Sequence, residues 1–115
     1  MTTKKELLTM LIDAPSDLRV IAAALGKFAW DSDVTLVTLT REHMQRVLQR
    51  YHSGEISSSQ LESWANAIEG REDIGFEPGC ENLLNEIIYQ LANPLLTEAI
   101  NVNTVSRLRD RLSSA

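Results

Sequence analysis

The chain has a single cysteine, Cys80, so an intrachain disulfide is excluded and a reducing compartment is expected. Long hydrophobic runs are missing too. The longest are Val20 to Leu25 and the pairs around Ile87 and Leu95, far short of the roughly 20 residues that cross a bilayer. The polar start Met1-Thr2-Thr3-Lys4-Lys5-Glu6 runs straight into an amphipathic stretch. No apolar segment with a small-residue cleavage site follows, so no signal peptide is expected. Low-complexity segments, repeats of 20–50 residues and linkers long enough to divide domains are all lacking. Basic charge is in deficit, with a formal net charge of −5. Such a chain repels phosphate backbones, which disfavours general nucleic-acid binding.

With 115 residues the chain has the size of one domain, 1–115, with one hydrophobic core. A hydrophobic fraction of 43% with 23% charged residues places it among folded proteins and away from disorder.

Six helical segments follow from spacing. Thr3 and Glu6 make a T-x-x-E capping box, and Leu7, Leu8, Leu11 and Ile12 continue it as a helix over about 4–13. Pro15-Ser16 breaks and recaps the chain. Leu18, Ile21, Ala22 and Leu25 make a second stripe, with Gly26 as its stop. Thr40 caps a third helix carrying Met44, Val47, Leu48 and Tyr51, which ends at His52-Ser53-Gly54. Ser59 and Glu62 form a second capping box, before Leu61, Trp64, Ala65 and Ile68, and Gly70 stops that helix. Residues 71–79 read as a loop because of Gly75, Pro78 and Gly79. Leu83, Leu84, Ile87, Ile88 and Leu91 make the strongest stripe, and Asn93-Pro94 breaks it. Leu95, Leu96, Ala99 and Ile100 suggest a short helical turn, and Thr104 caps a last helix with Val105, Leu108 and Leu112. Residues 28–39 have no helical period. Val34 to Leu39 is β-branched but lacks an evident partner, so the segment reads as an ordered extended loop with room for a short bridge. The expected fold is all-α, one compact domain of five to six helices.

Catalytic groupings do not emerge. A nucleophile needs a base and an orienting group, and the only histidines are His43 and His52. His52 falls at a helix C-terminus, where a cation is favoured by the dipole. Cys80 falls near a helix start, which is more often incidental than reactive. One cysteine and two histidines do not make a metal site. Asp31-Ser32-Asp33 opens like a calcium loop, but Leu36 stands where the loop needs glycine. Helices three and four resemble a helix-turn-helix. The second helix, which should read DNA, carries Glu62 and Glu69 and no base before Arg71. No enzyme, cofactor, metal or DNA role is therefore expected.

Charge is segregated along the chain. Residues 55–86 hold eight acids (Glu55, Glu62, Glu69, Glu72, Asp73, Glu77, Glu81, Glu86) and one base, Arg71, while each flank is net +1. Glu62 and Glu69 lie seven apart on one helical face with Asn66 between them. Glu72, Asp73 and Glu77 continue just beyond. This is either a solvated acidic face that keeps the chain dispersed or an anionic docking surface for a basic partner. Docking would need apolar anchors, and Trp30, Ile74 and Phe76 lie in loops near Asp31, Asp33 and the acidic run. The same residues equally suit core packing.

Four strings of residues carry a resemblance. Trp30-Asp31-Ser32-Asp33 is followed by Leu36-Val37-Thr38-Leu39-Thr40. Next comes Trp64-Ala65-Asn66-Ala67-Ile68-Glu69-Gly70-Arg71-Glu72-Asp73-Ile74, and then Leu91-Ala92-Asn93-Pro94. Over about 28–100 the chain resembles a group of small helical bacterial proteins that includes immunity proteins of contact-dependent growth inhibition and related polymorphic toxin systems. The resemblance implies a cytoplasmic protein that binds one toxin domain, commonly a nuclease with a basic site, and blocks it. It supplies no catalytic residues and no residue-by-residue interface. Glu62, Asn66, Glu69, Glu72, Asp73, Phe76, Glu77, Trp30, Asp31 and Asp33 are thus expected at the partner surface on the charge argument alone. Glu69, Arg71 and Asp73 have a competing role as a structural network where helix four ends. The alternative function is a helical adaptor or regulatory module that binds another host protein or itself.

Overall fold

The computed structural model describes residues 4–13, 18–26, 35–71 and 73–114. Its elements run α1 Lys4–Ile12, α2 Leu18–Leu25, β1 Val37–Leu39, α3 Arg41–His52, α4 Ser58–Ile68, β2 Ile74–Phe76, α5 Glu81–Ala92 and α6 Val102–Ser114. The protein is mainly α-helical, as its periodicity predicts. The helices pack pairwise, α1 on α2, α3 on α6 and α4 on α5. Their apolar stripes meet in one core that includes Leu8, Leu11, Leu48, Leu61, Trp64, Ile87, Leu91 and Val105. Trp64 fixes α4 against α1 in this core: its indole Nε1–H donates to the Leu11 carbonyl at 2.7 Å. The polar edge of a buried ring is thus satisfied, as its burial requires.

The extended segment does have a partner. β1 and β2 pair in parallel, with Val37 opposite Ile74, Thr38 opposite Gly75 and Leu39 opposite Phe76. Residues 37–39, expected in a loop, are a strand, and so are residues 74–76 from the loop expected at 71–79. Parallel strands need a long crossover, here supplied by α3 and α4. The Asp73 carbonyl accepts from the Leu36 and Val37 N–H groups at one end, and the Leu39 carbonyl accepts from Glu77 N–H at the other. Gly75 is required by close approach, since a Cβ there would lie 2.9 Å from the Thr35 Cγ2.

Caps account for the helix starts. Thr40 caps α3 as expected: its hydroxyl accepts from His43 N–H, and the His43 Nδ1 accepts from Thr40 N–H at 3.0 Å. For α4 the cap lies two residues before the expected box. Ser57 and Gln60 form it reciprocally, rather than Ser59 and Glu62. Gln serves as well as Glu at the third helical position, and the choice frees Glu62 from the cap. The last helix starts at Val102, ahead of Thr104, because the Asn101 Oδ1 already accepts from Thr104 N–H. Residues 95–100 form turns and irregular chain, not helix. The Thr3–Glu6 cap and Pro15-Ser16 involve residues outside those described.

Candidate interaction surface

Folding offsets half of the charge segregation, pairing four of the eight acids of 55–86 with bases from the flanking segments. Glu55 pairs with Arg50 at 2.9 Å and Glu86 with Arg111 at 2.8 Å. Glu81 accepts from Gly79 N–H ahead of α5. Glu77 takes up the start of α3: its two oxygens accept from Arg41 N–H and Arg41 Nε, both at 3.0 Å. That main-chain hydrogen bond, helped by the Arg41 charge, holds the Glu77 carboxyl below the usual glutamate range.

Asp73 lies deepest, 2% exposed. Its carboxylate receives Arg71 in a two-pronged contact at 2.9 and 3.0 Å and Lys4 Nζ at 3.0 Å. Burial pushes its carboxyl up, but hydrogen bonds from Arg71 and then Lys4, with both their charges, outweigh it and hold it below the ordinary aspartate value. Asp73 thus joins α1 to the entry of β2 and is withdrawn from the surface.

The other expected contact residues separate in the same way. Ile74 is buried and Phe76 is half-buried against the core. Trp30, Asp31, Asp33 and Glu72 lie outside the described residues. On α4, Asn66 is exposed, with Glu62 and Glu69 half-buried on the same face. Glu62 has no hydrogen-bond or ionic partner among the described residues. Glu69 Oε2 accepts from Asn93 Nδ2 at 3.0 Å, and the same amide nitrogen donates to the Tyr89 carbonyl. Three of the expected residues therefore stay together, and the last of them is bonded to the C-terminal end of α5.

That end carries an apolar group which the spacing of residues did not reveal. Leu95 is 100% exposed, Leu96 75% and Tyr89 47%. The turn that bears the two leucines is well tied. The Asn93 carbonyl accepts from both Leu96 N–H and Thr97 N–H at 3.0 Å, and the Thr97 hydroxyl donates to the Gln90 and Asn93 carbonyls. Helical spacing suggested that Leu95 and Leu96 lie on a core-facing turn. The signal against it was Asn93-Pro94 immediately before, since proline forbids carrying the α5 period across it. Leu95 and Leu96 are thus adjacent exposed apolar side chains on an ordered turn. Burying each against a partner is worth about 1.5–3 kcal/mol.

The groups considered for chemistry are engaged elsewhere. The Thr40 hydroxyl and His43 ring lie 3.0 Å apart, and His43 Nε2 is 3.8 Å from Asp13 Oδ1. Hydroxyl, imidazole and carboxylate are thus in sequence, but the first two form the reciprocal cap of α3. Cys80 Sγ sits 4.0 Å from Glu77 Oε2. Among the described residues no three His, Cys, Asp or Glu side chains are grouped to hold a metal ion. No described helix is long and apolar enough to cross a membrane. Comparison of the chain with protein-family models, with curated proteins and with solved structures finds no match in any of the three.

Proposed function

We propose that this chain is a non-enzymatic binding protein that neutralises a basic toxin domain, probed first as an immunity protein of the kind residues 28–100 resemble. The observation that carries the reading is the fully exposed Leu95, held with Leu96 on a hydrogen-bonded turn that starts at Asn93, whose amide binds Glu69. Interfaces draw affinity from a few apolar anchors in a patch, and rate and specificity from the surrounding charge. Tyr89, Leu95 and Leu96 supply the anchors, and Glu62 and Glu69 supply the charge. The complementary partner presents an apolar pocket rimmed by Lys and Arg. The site of action on this reading is the cytoplasm, with neither nucleic acid nor membrane as a ligand.

The test is survival. The C-terminal domain encoded immediately upstream is expressed with this chain, with its Leu95→Asp/Leu96→Asp variant, or alone. Rescue by the natural chain and loss of rescue by the variant are expected. A harmless neighbour, or one that kills despite this chain, removes the toxin reading. The same turn would then serve an adaptor, whose signature is stable association with a host protein that does not weaken as salt rises.

A further inference from the structure

A second docking feature lies on another part of the molecule, along the seam of α3 and α6. Here the two helices leave an open groove of about 710 Å3, floored by Gln45 and bordered by Gln49 and Arg46 from α3 and by Ser106, Arg109 and Asp110 from α6. Its floor is fixed, because Gln45 Nε2 donates to the Arg109 carbonyl at 3.1 Å and to the Ser113 hydroxyl at 3.2 Å.

Arg109 differs from the other arginines of the chain between α3 and α6. From residue 41 onward every other arginine reaches a carboxylate: Arg41 on Glu77, Arg46 on Glu42, Arg50 on Glu55, Arg71 on Asp73, Arg107 on Glu98 and Arg111 on Glu86. Arg109 is half-buried, lines the groove, and has no acceptor for its guanidinium among the described residues. The neighbouring Asp110 likewise has no partner among them. A planar fork of five donors held partly out of water is matched best by a carboxylate arriving from outside.

We propose that the α3–α6 groove is a docking site for a short extended peptide segment of a partner protein, with one Asp or Glu seated on Arg109. Size and chemistry select this occupant. Glu42 to Arg50 spans about 12 Å of α3 at 1.5 Å per residue, which accommodates three or four extended residues at about 3.3 Å each. Gln49 and Ser106 each offer a donor and an acceptor, as a peptide main chain requires. Asp110, which has no partner among the described residues, repels a phosphate backbone but accepts a basic residue beside the bound acid. The groove is too open to bury a small free acid.

The test is a two-dimensional NMR titration of the full chain, labelled with 15N, with the peptide Ac-Ala-Glu-Ala-Lys-Ala-amide. Saturable shifts confined to 42–50 and 106–113 and to the Arg109 Nε–H are expected. The Gln counterpart of the peptide should give shifts at least fivefold weaker, and Arg109→Gln should weaken Glu-peptide binding to the same degree with its remaining spectrum unchanged. Arg109→Lys should lose part of the affinity, because an ammonium keeps the charge but not the fork. Shifts reproduced by inorganic phosphate alone would make this a simple anion site and overturn the peptide assignment. Equal binding of the Gln peptide, or shifts spread over the whole surface, would overturn it as well. The leucine turn lies outside the observed residues, so either proposal can fail without the other.

Discussion

Asp73→Asn is the sharpest test of how this fold uses its charge. The change keeps the shape of the side chain and removes the negative charge between two cations. Asp73 is 2% exposed, with Arg71 9% and Lys4 15% exposed around it. Removing one member of a buried ionic set costs about 3–5 kcal/mol, because the remaining charges stay desolvated. Lys4 lies near water on a flexible stem and can relax outward, so the lower end, about 3 kcal/mol, is expected. At a urea slope of about 1.5 kcal/mol per molar this lowers the unfolding midpoint by about 2 M. The loss should fall first on the N-terminal helix, whose amides at Leu8 and Leu11 should exchange faster than those of α5. There is a pH signature as well. The folded Asp73 carboxyl titrates below its unfolded value, so its contribution is complete above about pH 5 and is lost as pH falls below about 4. The natural chain should therefore destabilise more steeply in acid than the variant, and the two should converge there. A midpoint shift under about 0.5 M at pH 7, with parallel acid profiles, would refute the claim that this network holds α1 in place.

Three other outcomes are expected. Trp64→Phe removes the donor to the Leu11 carbonyl and should cost about 1–3 kcal/mol in chemical denaturation; a neutral result would mean that carbonyl finds another donor. Gly75→Ala should destabilise by about 1–3 kcal/mol through the contact with Thr35, and Thr35→Ser in the same chain, which deletes the Cγ2 2.9 Å away, should recover most of the loss. Leu95→Asp/Leu96→Asp should leave stability within about 0.5 kcal/mol, and a larger loss in thermal unfolding would mean the turn is structural and not a docking anchor.

The helices were legible because their information is local. Met44, Val47, Leu48 and Tyr51 announce α3 by spacing alone, and Thr40 marks its start. The parallel pair was not legible, because a three-residue strand has almost no period and its partner lies beyond two helices. Three residues such as Ile74-Gly75-Phe76, set between glycines, read as a loop until Val37 to Leu39 is brought beside them. Pairing of the acids was illegible for the same reason. Counting acids in 55–86 found a real excess, but Glu77 meets Arg41 across 36 residues and Glu86 meets Arg111 across 25. Among the described residues, Glu62, Asn66 and Glu69 were both expected at the surface and left together there. Leu95 and Leu96 show the opposite failure, a helical spacing extended past the proline that ends it.

The parallel pairing also bears on how the chain is made. During synthesis Val37–Leu39 leaves the ribosome as a strand edge with nothing to complete it, and must wait until Ile74–Phe76 has followed. Non-local pairing of this kind pays its loop-closure entropy before it returns any contact. The helices between the strands carry local information and need not wait for that pairing, so we expect the zipping of β1 to β2 to come late. At that last step the Asp73 carbonyl captures the N–H groups of Leu36 and Val37 while its carboxylate captures Lys4. One residue thus acts as the latch that joins α1 and β1 to a strand that emerges well after both.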